Sequence, residues 1–161
     1  MKNPDPTIST DSVAGDQVKT LSSTILCLGR VFERRLGRIL ATTDLGVTTA
    51  QARIVMRLHF NGPLSQQELA AQIDVVPSTI VGTLDVLERE GLASREPDPS
   101  DRRAHLVRLT EAGQALVPGL FGILHVVEAE IAEVLPERER ARLQESLDRL
   151  IERLSMGDEV C

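Results

Sequence analysis

Hydrophobic residues recur at steps of three and four along both ends of the chain, which is the spacing of a helical stripe. A first helix is predicted over residues 16–40, with its stripe at Val18, Leu21, Ile25, Leu28, Phe32, Leu36 and Ile39. A long helix is predicted over residues 111–135. A final helix begins at Pro136, and its stripe consists of Leu143, Leu147, Leu150 and Leu154. One small core cannot cover all these stripes, so we expect them to pair with a second copy rather than pack within one subunit.

Breaks in this pattern divide the N-terminal half of the chain. Residues 1–15 are rich in Pro, Thr and Asp and have no period, which predicts a flexible arm. A second helix is predicted from a cap at Thr48 or Thr49 to about Phe60. The turn-forming run at 61–63, Asn-Gly-Pro, ends it.

Two short helices follow in quick succession. Ser65 with Glu68 three residues later forms a capping box for a helix that runs to about Gln72. Pro77 suits the first position of another helix, which is predicted to continue to Glu90. Two helices joined by so short a link predict a helix-turn-helix.

The spacing then changes from helical to alternating. Residues 92–96 and 104–109 are predicted to be two short strands, separated by the turn-forming run Pro-Asp-Pro-Ser-Asp at 97–101. Thr110 is predicted to cap the next helix. A hairpin directly after a helix-turn-helix makes a winged helix, whose second helix can enter the major groove of DNA.

We therefore predict a mainly α-helical fold with a small β-hairpin wing, a winged helix-turn-helix between long N- and C-terminal dimerisation helices. The predicted parts are an arm at 1–15, an N-terminal dimerisation helix at 16–44, a DNA-binding domain at 45–110, C-terminal dimerisation helices at 111–156 and a tail at 157–161.

Composition excludes several other classes of protein. Among the 161 residues there are three Phe and no Trp or Tyr, so an aromatic platform for single-stranded nucleic acid is excluded. No uninterrupted apolar run approaches the roughly 20 residues of a membrane span, and the polar N-terminus does not resemble a signal peptide. Cys27 and Cys161 do not form a disulfide framework, so a cytoplasmic protein is expected. A net charge of −6 excludes non-specific attraction to nucleic acid, but it allows specific binding by arginines on one face.

Residues Leu64–Leu116 resemble the MarR/SlyA family of bacterial winged-helix transcriptional regulators, and the likeness continues more weakly through LGVTTAQARIVMRL at 45–58. The most specific part is the run DPSDRR at 98–103, followed after one strand's length by LTEAG at 109–113. The resemblance implies a homodimer that binds a pseudo-palindromic operator in double-stranded DNA. It also implies a cleft for a small effector between the dimerisation and DNA-binding parts.

The resemblance also suggests which residues contact DNA. It places contacts of the recognition helix at Pro77, Ser78, Thr79 and Thr83, and contacts of the preceding helix at Ser65, Gln66 and Gln67. In the wing it implies that Asp101 orients Arg103 for the minor groove, beside Arg102; without the resemblance, a turn with solvated arginines explains these residues equally well. Gly82 stands where the family often has arginine, so we expect modest base discrimination and a large share of shape readout.

Residues near the implied effector cleft suit an aromatic or lipophilic anion such as a phenolic carboxylate, because they combine apolar surface with cationic or titratable groups. These effector candidates are Phe32, Arg35, Met56, His59, Phe121 and His125, and ordinary core or interface packing is the alternative for each of them.

No catalytic motif is present and the histidines at 59, 105 and 125 are scattered, so we expect neither an enzyme nor a metal site, and no cofactor. Two alternatives remain open. One is an oxidant sensor acting through Cys27, although a buried and inert thiol is favoured there. The other is a winged-helix module that binds proteins instead of DNA, which the acidic chain and Gly82 would suit.

Overall fold

The structure is a computed structural model that describes residues 20–98 and 105–155. Within these ranges the elements follow the order α1 (Leu21–Leu40), α2 (Thr49–Asn61), β1 (Leu64–Ser65), α3 (Gln66–Gln72), α4 (Pro77–Arg89), β2 (Ala93–Pro97), β3 (His105–Leu109), α5 (Glu111–Val134) and α6 (Glu137–Ser155). The predicted mainly helical fold with a hairpin wing is confirmed. The start of the first helix, the arm at 1–15 and the tail at 157–161 lie outside the described residues.

Helix starts follow from side chains that cap the first turn. Thr48, not Thr49, caps α2: its Oγ1 accepts from the backbone N–H of Gln51 at 3.3 Å, and the Gln51 side chain accepts from the Thr48 N–H at 2.7 Å. Ser65 and Glu68 form the same reciprocal pair at α3, with bonds of 3.2 and 2.7 Å. Hydrogen bonding of the Glu68 carboxylate to the side chain and the backbone N–H of Ser65 favours the ionised form and lowers the pKa of Glu68.

The strands form one antiparallel sheet in the order β1-β3-β2. The hairpin pairs Ala93 with Leu109 and Pro97 with His105, as the alternating pattern predicts. The third strand was not predicted, because β1 has only two residues, and two residues show no alternation. It is a strand only because β3 runs beside it and pairs Val107 with Leu64.

By contacts the chain divides into two units, Met1–Phe32 and Glu33–Cys161, which are described separately. The core of the second unit brings together α2, α3, α4, the sheet and α5. Its most completely buried side chains are Ile54, Val55, Leu69, Ile80, Leu84, Leu87 and Val107. Val117, Leu120 and Ile123 of α5 join this cluster. The predicted domain boundaries at 44/45 and 110/111 stay predictions.

By length and composition alone, α5 is apolar enough to span a membrane, and so is the bent pair of α3 and α4 if it is taken as one span. The expectation from the sequence concerned an uninterrupted apolar run, and α5, which contains Glu128 and Glu130, does not contradict it. The sequence argument looked for an uninterrupted apolar run, whereas α5 reaches a high mean hydropathy with only scattered polar residues. Core helices of water-soluble proteins pass the same test, and α5 contributes Val117, Leu120 and Ile123 to the core.

Apolar side chains stay exposed on the outer helices. In the described part of the first unit, Leu21 and Leu26 are 67% and 65% exposed, and Cys27 is exposed as well. The prediction of a buried Cys27 is therefore wrong for the single chain. No residue of α6 is buried, and its Ile151 and Leu154 are 63% and 73% exposed.

Gly113 lets the first turn of α5 lie directly against the segment that leads into β2. A Cβ atom at this position would lie 2.0 Å from the backbone oxygen of Leu92 and 3.1 Å from a methyl carbon of Leu109. The same Leu92 oxygen accepts a hydrogen bond from the N–H of Thr110 at 3.1 Å, which holds it in place. Only glycine fits here without a shift of the backbone.

We expect Gly113→Ala to lower the free energy of unfolding by at least about 1–3 kcal/mol, the usual range for overpacking a tight site. The matched control is Gly122→Ala in the same helix, where a Cβ would meet no atom within 4 Å. That change is expected to raise stability by roughly 0.5–1 kcal/mol, as alanine favours a helix over glycine. Urea unfolding of both variants checks this, and equal effects would contradict it.

Candidate nucleic-acid interface

The link between α3 and α4 is a tight turn held by backbone hydrogen bonds. The N–H of Val75 donates to the oxygen of Ala70 at 3.0 Å, and Asp74 adopts a positive φ of 55°. Asp is one of the few residues other than glycine that tolerates this conformation. The Nη2 atom of Arg53, from α2, donates to the backbone oxygen of Ile73 at 2.7 Å. The turn is therefore fixed both from within and by a neighbouring helix.

One side of α4 is buried and the other faces solvent. Ile80, Leu84 and Leu87 are at most 2% exposed, and they recur at steps of three and four. At the N-terminal end the solvent side presents Pro77, Ser78, Thr79, Val81 and Gly82, while Thr83 is half-buried. From residue 75 to residue 84 there is no charged side chain. The helix thus offers solvent a surface of hydroxyl and methyl groups.

The structure brings the candidate contacts of α3 and α4 to the same end of the helix pair. The side-chain Nε2 of Gln66 donates to the backbone oxygen of Pro77 at 3.3 Å, which links the start of α3 to the start of α4. Gln67 is exposed, whereas Ser65 and Gln66 are half-buried and already make hydrogen bonds within the protein. The wing residues Asp101, Arg102 and Arg103 lie outside the described residues.

Arg95 joins the wing to α4, and the sequence argument did not single it out. Its guanidinium group lies between the carboxylates of Asp85, at 2.9 Å, and Glu88. The backbone N–H of Arg95 also donates to Glu88 at 2.9 Å. The acids stand three residues apart and so share one face of the helix. This spacing was visible in the sequence, but their partner on β2 was not.

A cavity of about 310 Å³ lies behind the helix pair, between α1, α2 and α5. Its lining consists of Glu33, Leu36, Leu40, Thr49, Ala52, Arg53, Met56, Arg57, Phe60, Ile73, Leu120, Ile123 and Leu124. The walls are mostly apolar, and charge is supplied by Glu33, Arg53 and Arg57. Arg53 pairs with Glu33 at 3.3 Å, whereas the guanidinium group of Arg57 has no carboxylate partner among the described residues.

Met56 lines the cavity, and the other five effector candidates are not among its lining residues. Arg35 instead forms an ion pair with Glu130 of α5. Hydrogen bonding to Arg35 lowers the pKa of Glu130, and the same bond raises the pKa of Arg35. His125 is an exposed residue of α5, and Phe32 lies on α1.

His59 and Phe121 belong to a cluster of rings with Phe60. The three pairs of ring centroids lie 5.3–6.0 Å apart in edge-to-face geometry. The Nδ1 atom of His59 also lies 3.2 Å from the side-chain oxygen of Gln114. Phe60 is the member of this cluster that lines the cavity, and the sequence argument did not include it among the effector candidates.

Comparison with known proteins relates the helix-turn-helix to one family. The sequence model of the MarR family matches residues 47–105, which run from the cap of α2 to the start of β3. A probable transcriptional regulator from Pseudomonas aeruginosa has a similar structure, with 30% sequence identity and a TM-score of 0.66, covering 82% of this chain and all of the other.

Two further solved structures are similar over most of their length. A protein described as MarR has 28% identity and a TM-score of 0.78, covering 90% of this chain and 97% of the other. The transcriptional repressor CouR, solved bound to a 23-mer DNA duplex, has 26% identity and a TM-score of 0.72, covering 81% of this chain and 92% of the other.

We expect Arg95→Met to lower the free energy of unfolding by about 1–3 kcal/mol, because it leaves two carboxylates beside each other without their cation. The matched control is Arg108→Met on β3, whose pair with Glu96 is about half exposed on both sides. That change is expected to cost less than about 1 kcal/mol, as is usual for a surface ion pair. Thermal unfolding at neutral pH measures both, and equal losses would show that Arg95 is only another surface arginine.

Proposed function

Because the chain belongs to the MarR family of transcriptional regulators, we propose that it is a homodimeric repressor that binds operator DNA in the cytoplasm and is released by a small effector. The observation that carries this proposal is the exposed, uncharged N-terminal end of α4, held rigidly above a fully buried side. Such a helix can enter the major groove without repelling the phosphates. The DNA-bound structure of CouR supports the same use of this fold.

The proposed DNA contacts come from three places. Pro77, Ser78, Thr79 and Thr83 of α4 face the major groove. Ser65, Gln66 and Gln67 at the start of α3 lie beside it. In the wing, Asp101 orients Arg103 for the minor groove, with Arg102 beside it. Short hydroxyl groups and a wing favour modest base discrimination with a large share of shape readout.

The proposed dimer would cover apolar side chains that the single chain leaves exposed. On α6, Leu143, Ile151 and Leu154 are 44%, 63% and 73% exposed. Leu143, Leu147, Leu150 and Leu154 stand at steps of four, three and four, the spacing of a seam between paired helices. A two-fold dimer places two copies of α4 about one DNA turn apart, which matches a palindromic operator.

The proposed effector site is the cavity behind the helix pair, so Met56 is the one sequence candidate that we retain there. Apolar walls suit an aromatic or lipophilic anion when they also carry a guanidinium group such as that of Arg57, which has no carboxylate partner among the described residues. Arg53 connects this cavity to the DNA-binding end, since it lines the cavity and also holds the Ile73 oxygen at the turn before α4. An anion that drew Arg53 away would loosen that turn. DNA is then released if the anion binds the loosened state more tightly than the DNA-bound state.

We expect the full chain to sediment as a dimer and to bind duplex DNA from its own upstream region. Leu143→Glu should dissociate the dimer and weaken DNA binding at least tenfold, because the two half-sites are then bound separately. Analytical ultracentrifugation and fluorescence anisotropy measure the two effects.

The matched control is Ala141→Glu, which adds the same charge to the opposite face of α6 and should change neither quantity. A wild-type monomer would overturn the dimer. A well-folded dimer that ignores every duplex from its own locus would instead favour the protein-interaction alternative.

We expect 4-hydroxybenzoate, a phenolic carboxylate, to bind the cavity and weaken DNA binding. Arg57→Gln should weaken its binding at least tenfold, because a charge-assisted hydrogen bond contributes about 1.5–3 kcal/mol. Arg53→Met should leave ligand binding measurable but reduce the effect of the ligand on DNA affinity. Isothermal titration calorimetry and anisotropy separate these two effects.

The neutral amide, 4-hydroxybenzamide, is the control ligand, and Arg57→Gln should leave its binding unchanged. If the acid and the amide bind equally well to the wild-type chain, the anion preference is wrong. If neither binds, the cavity does not take this class of compound.

A further inference from the structure

We propose that the N-terminal half of α4 recognises operators through the 5-methyl groups of thymines in the major groove. This inference rests on the proposed DNA binding and adds the kind of base edge that the helix contacts. It concerns one surface, the exposed residues Val76, Pro77, Ser78, Thr79, Val81 and Gly82, which we call the α4 reading surface.

The first argument is the hydrogen-bonding chemistry that this surface lacks. Specific recognition of guanine in the major groove usually uses Arg or Lys, and recognition of adenine uses Asn or Gln. None of these residue types occurs between residues 75 and 84. The side-chain amide of Gln66, at the start of α3, donates to the Pro77 oxygen at 3.3 Å. Hydroxyl groups alone discriminate weakly, since they donate and accept equally well.

The second argument is the apolar groups that the surface presents. Val76 is 63% exposed and Val81 is 36% exposed, although the opposite side of the same helix is buried almost completely. Thr79, which carries a methyl group, is exposed as well. Exposed methyl groups gain free energy when they are removed from water. In the major groove the apolar partner available to them is the thymine methyl group.

The third argument is the space at Gly82. A Cβ atom built there would meet no atom of the described residues within 4 Å, so none of them requires glycine at this position. A glycine in the interior of a helix costs about 1 kcal/mol relative to alanine. Its absence of a side chain allows the helix to approach base edges more closely, which brings the methyl groups of its neighbours within contact distance.

Charge next to the surface favours DNA as the occupant. On the C-terminal side of the surface the first acidic residue is Asp85, and Arg95 pairs with its carboxylate at 2.9 Å, whereas on the N-terminal side Asp74 is exposed in the turn. The pairing with Arg95 compensates the Asp85 carboxylate, which would otherwise repel phosphates. The surface is also continuous with the start of α3, where Gln67 is exposed. An apolar surface beside a compensated acid at the tip of a helix-turn-helix suits a thymine-containing major groove.

The experiment replaces each thymine of a bound upstream fragment, one at a time, with deoxyuridine. Deoxyuridine pairs with adenine as thymine does and lacks only the methyl group. For thymines under α4 we expect about a fourfold loss of affinity, the effect of one apolar carbon leaving water. Replacements outside the protected region should have no effect. Anisotropy at constant salt measures each duplex.

The protein variant is Val81→Ala, tested on the thymine and deoxyuridine duplexes in a double-mutant cycle. This variant should bind the thymine duplex more weakly than the wild-type chain does. Replacing thymine with deoxyuridine should then cause little further loss of affinity. The control is Val126→Ala on α5, a valine 46% exposed and far from α4 in sequence. The control should keep the full deoxyuridine penalty.

Different outcomes separate this inference from the proposed function. Specific DNA binding with no deoxyuridine effect at any position would overturn the inference and leave the regulator intact. A Val81→Ala loss that is equal on both duplexes would also overturn it, since the face would then contact DNA without sensing methyl groups. Failure to bind any duplex would remove the proposed function itself.

Discussion

The burial of Ile80, Leu84 and Leu87 is the constraint on which the rest of the structure depends. These side chains fix the rotation of α4 about its own axis, because turning the helix would bring them into water. Once the rotation is fixed, the residues on the opposite side must face solvent. The surface that we assign to DNA is therefore a consequence of core packing.

Polar contacts from three different elements then fix the position of α4 along and across that core. Arg53 of α2 holds the turn before it, Gln66 of α3 holds its first residue, and Arg95 of β2 pairs with acids near its C-terminal half. Without these contacts, each of the three polar side chains would have to form its hydrogen bonds with water. Arg53 also lines the cavity, so the same guanidinium group that positions the reading surface is within reach of a bound anion.

The outer helices α1 and α6 leave more of their apolar side chains exposed than α4 does. These side chains recur at helical spacing, and in the single chain no residue of α6 is buried. An apolar surface of this kind is stabilised when a second copy covers it. A chain with a net charge of −6 can still bind DNA, because its reading surface is uncharged and the nearby Asp85 is paired with Arg95.

Most of the helices and the hairpin could be predicted from the sequence, because they depend on signals within a few residues. Ser65 and Thr110 cap helices and Pro77 opens α4 as predicted, and Thr48 is one of the two caps expected for α2. Contacts between segments that are far apart in sequence were evident only in the tertiary structure. It made β1 a strand through its pairing with β3, gave Arg95 its two carboxylates, and placed Met56 rather than the other effector candidates in the cavity. The physical reason is that periodicity shows which side of an element is apolar, whereas the neighbour across that side depends on how the whole chain packs.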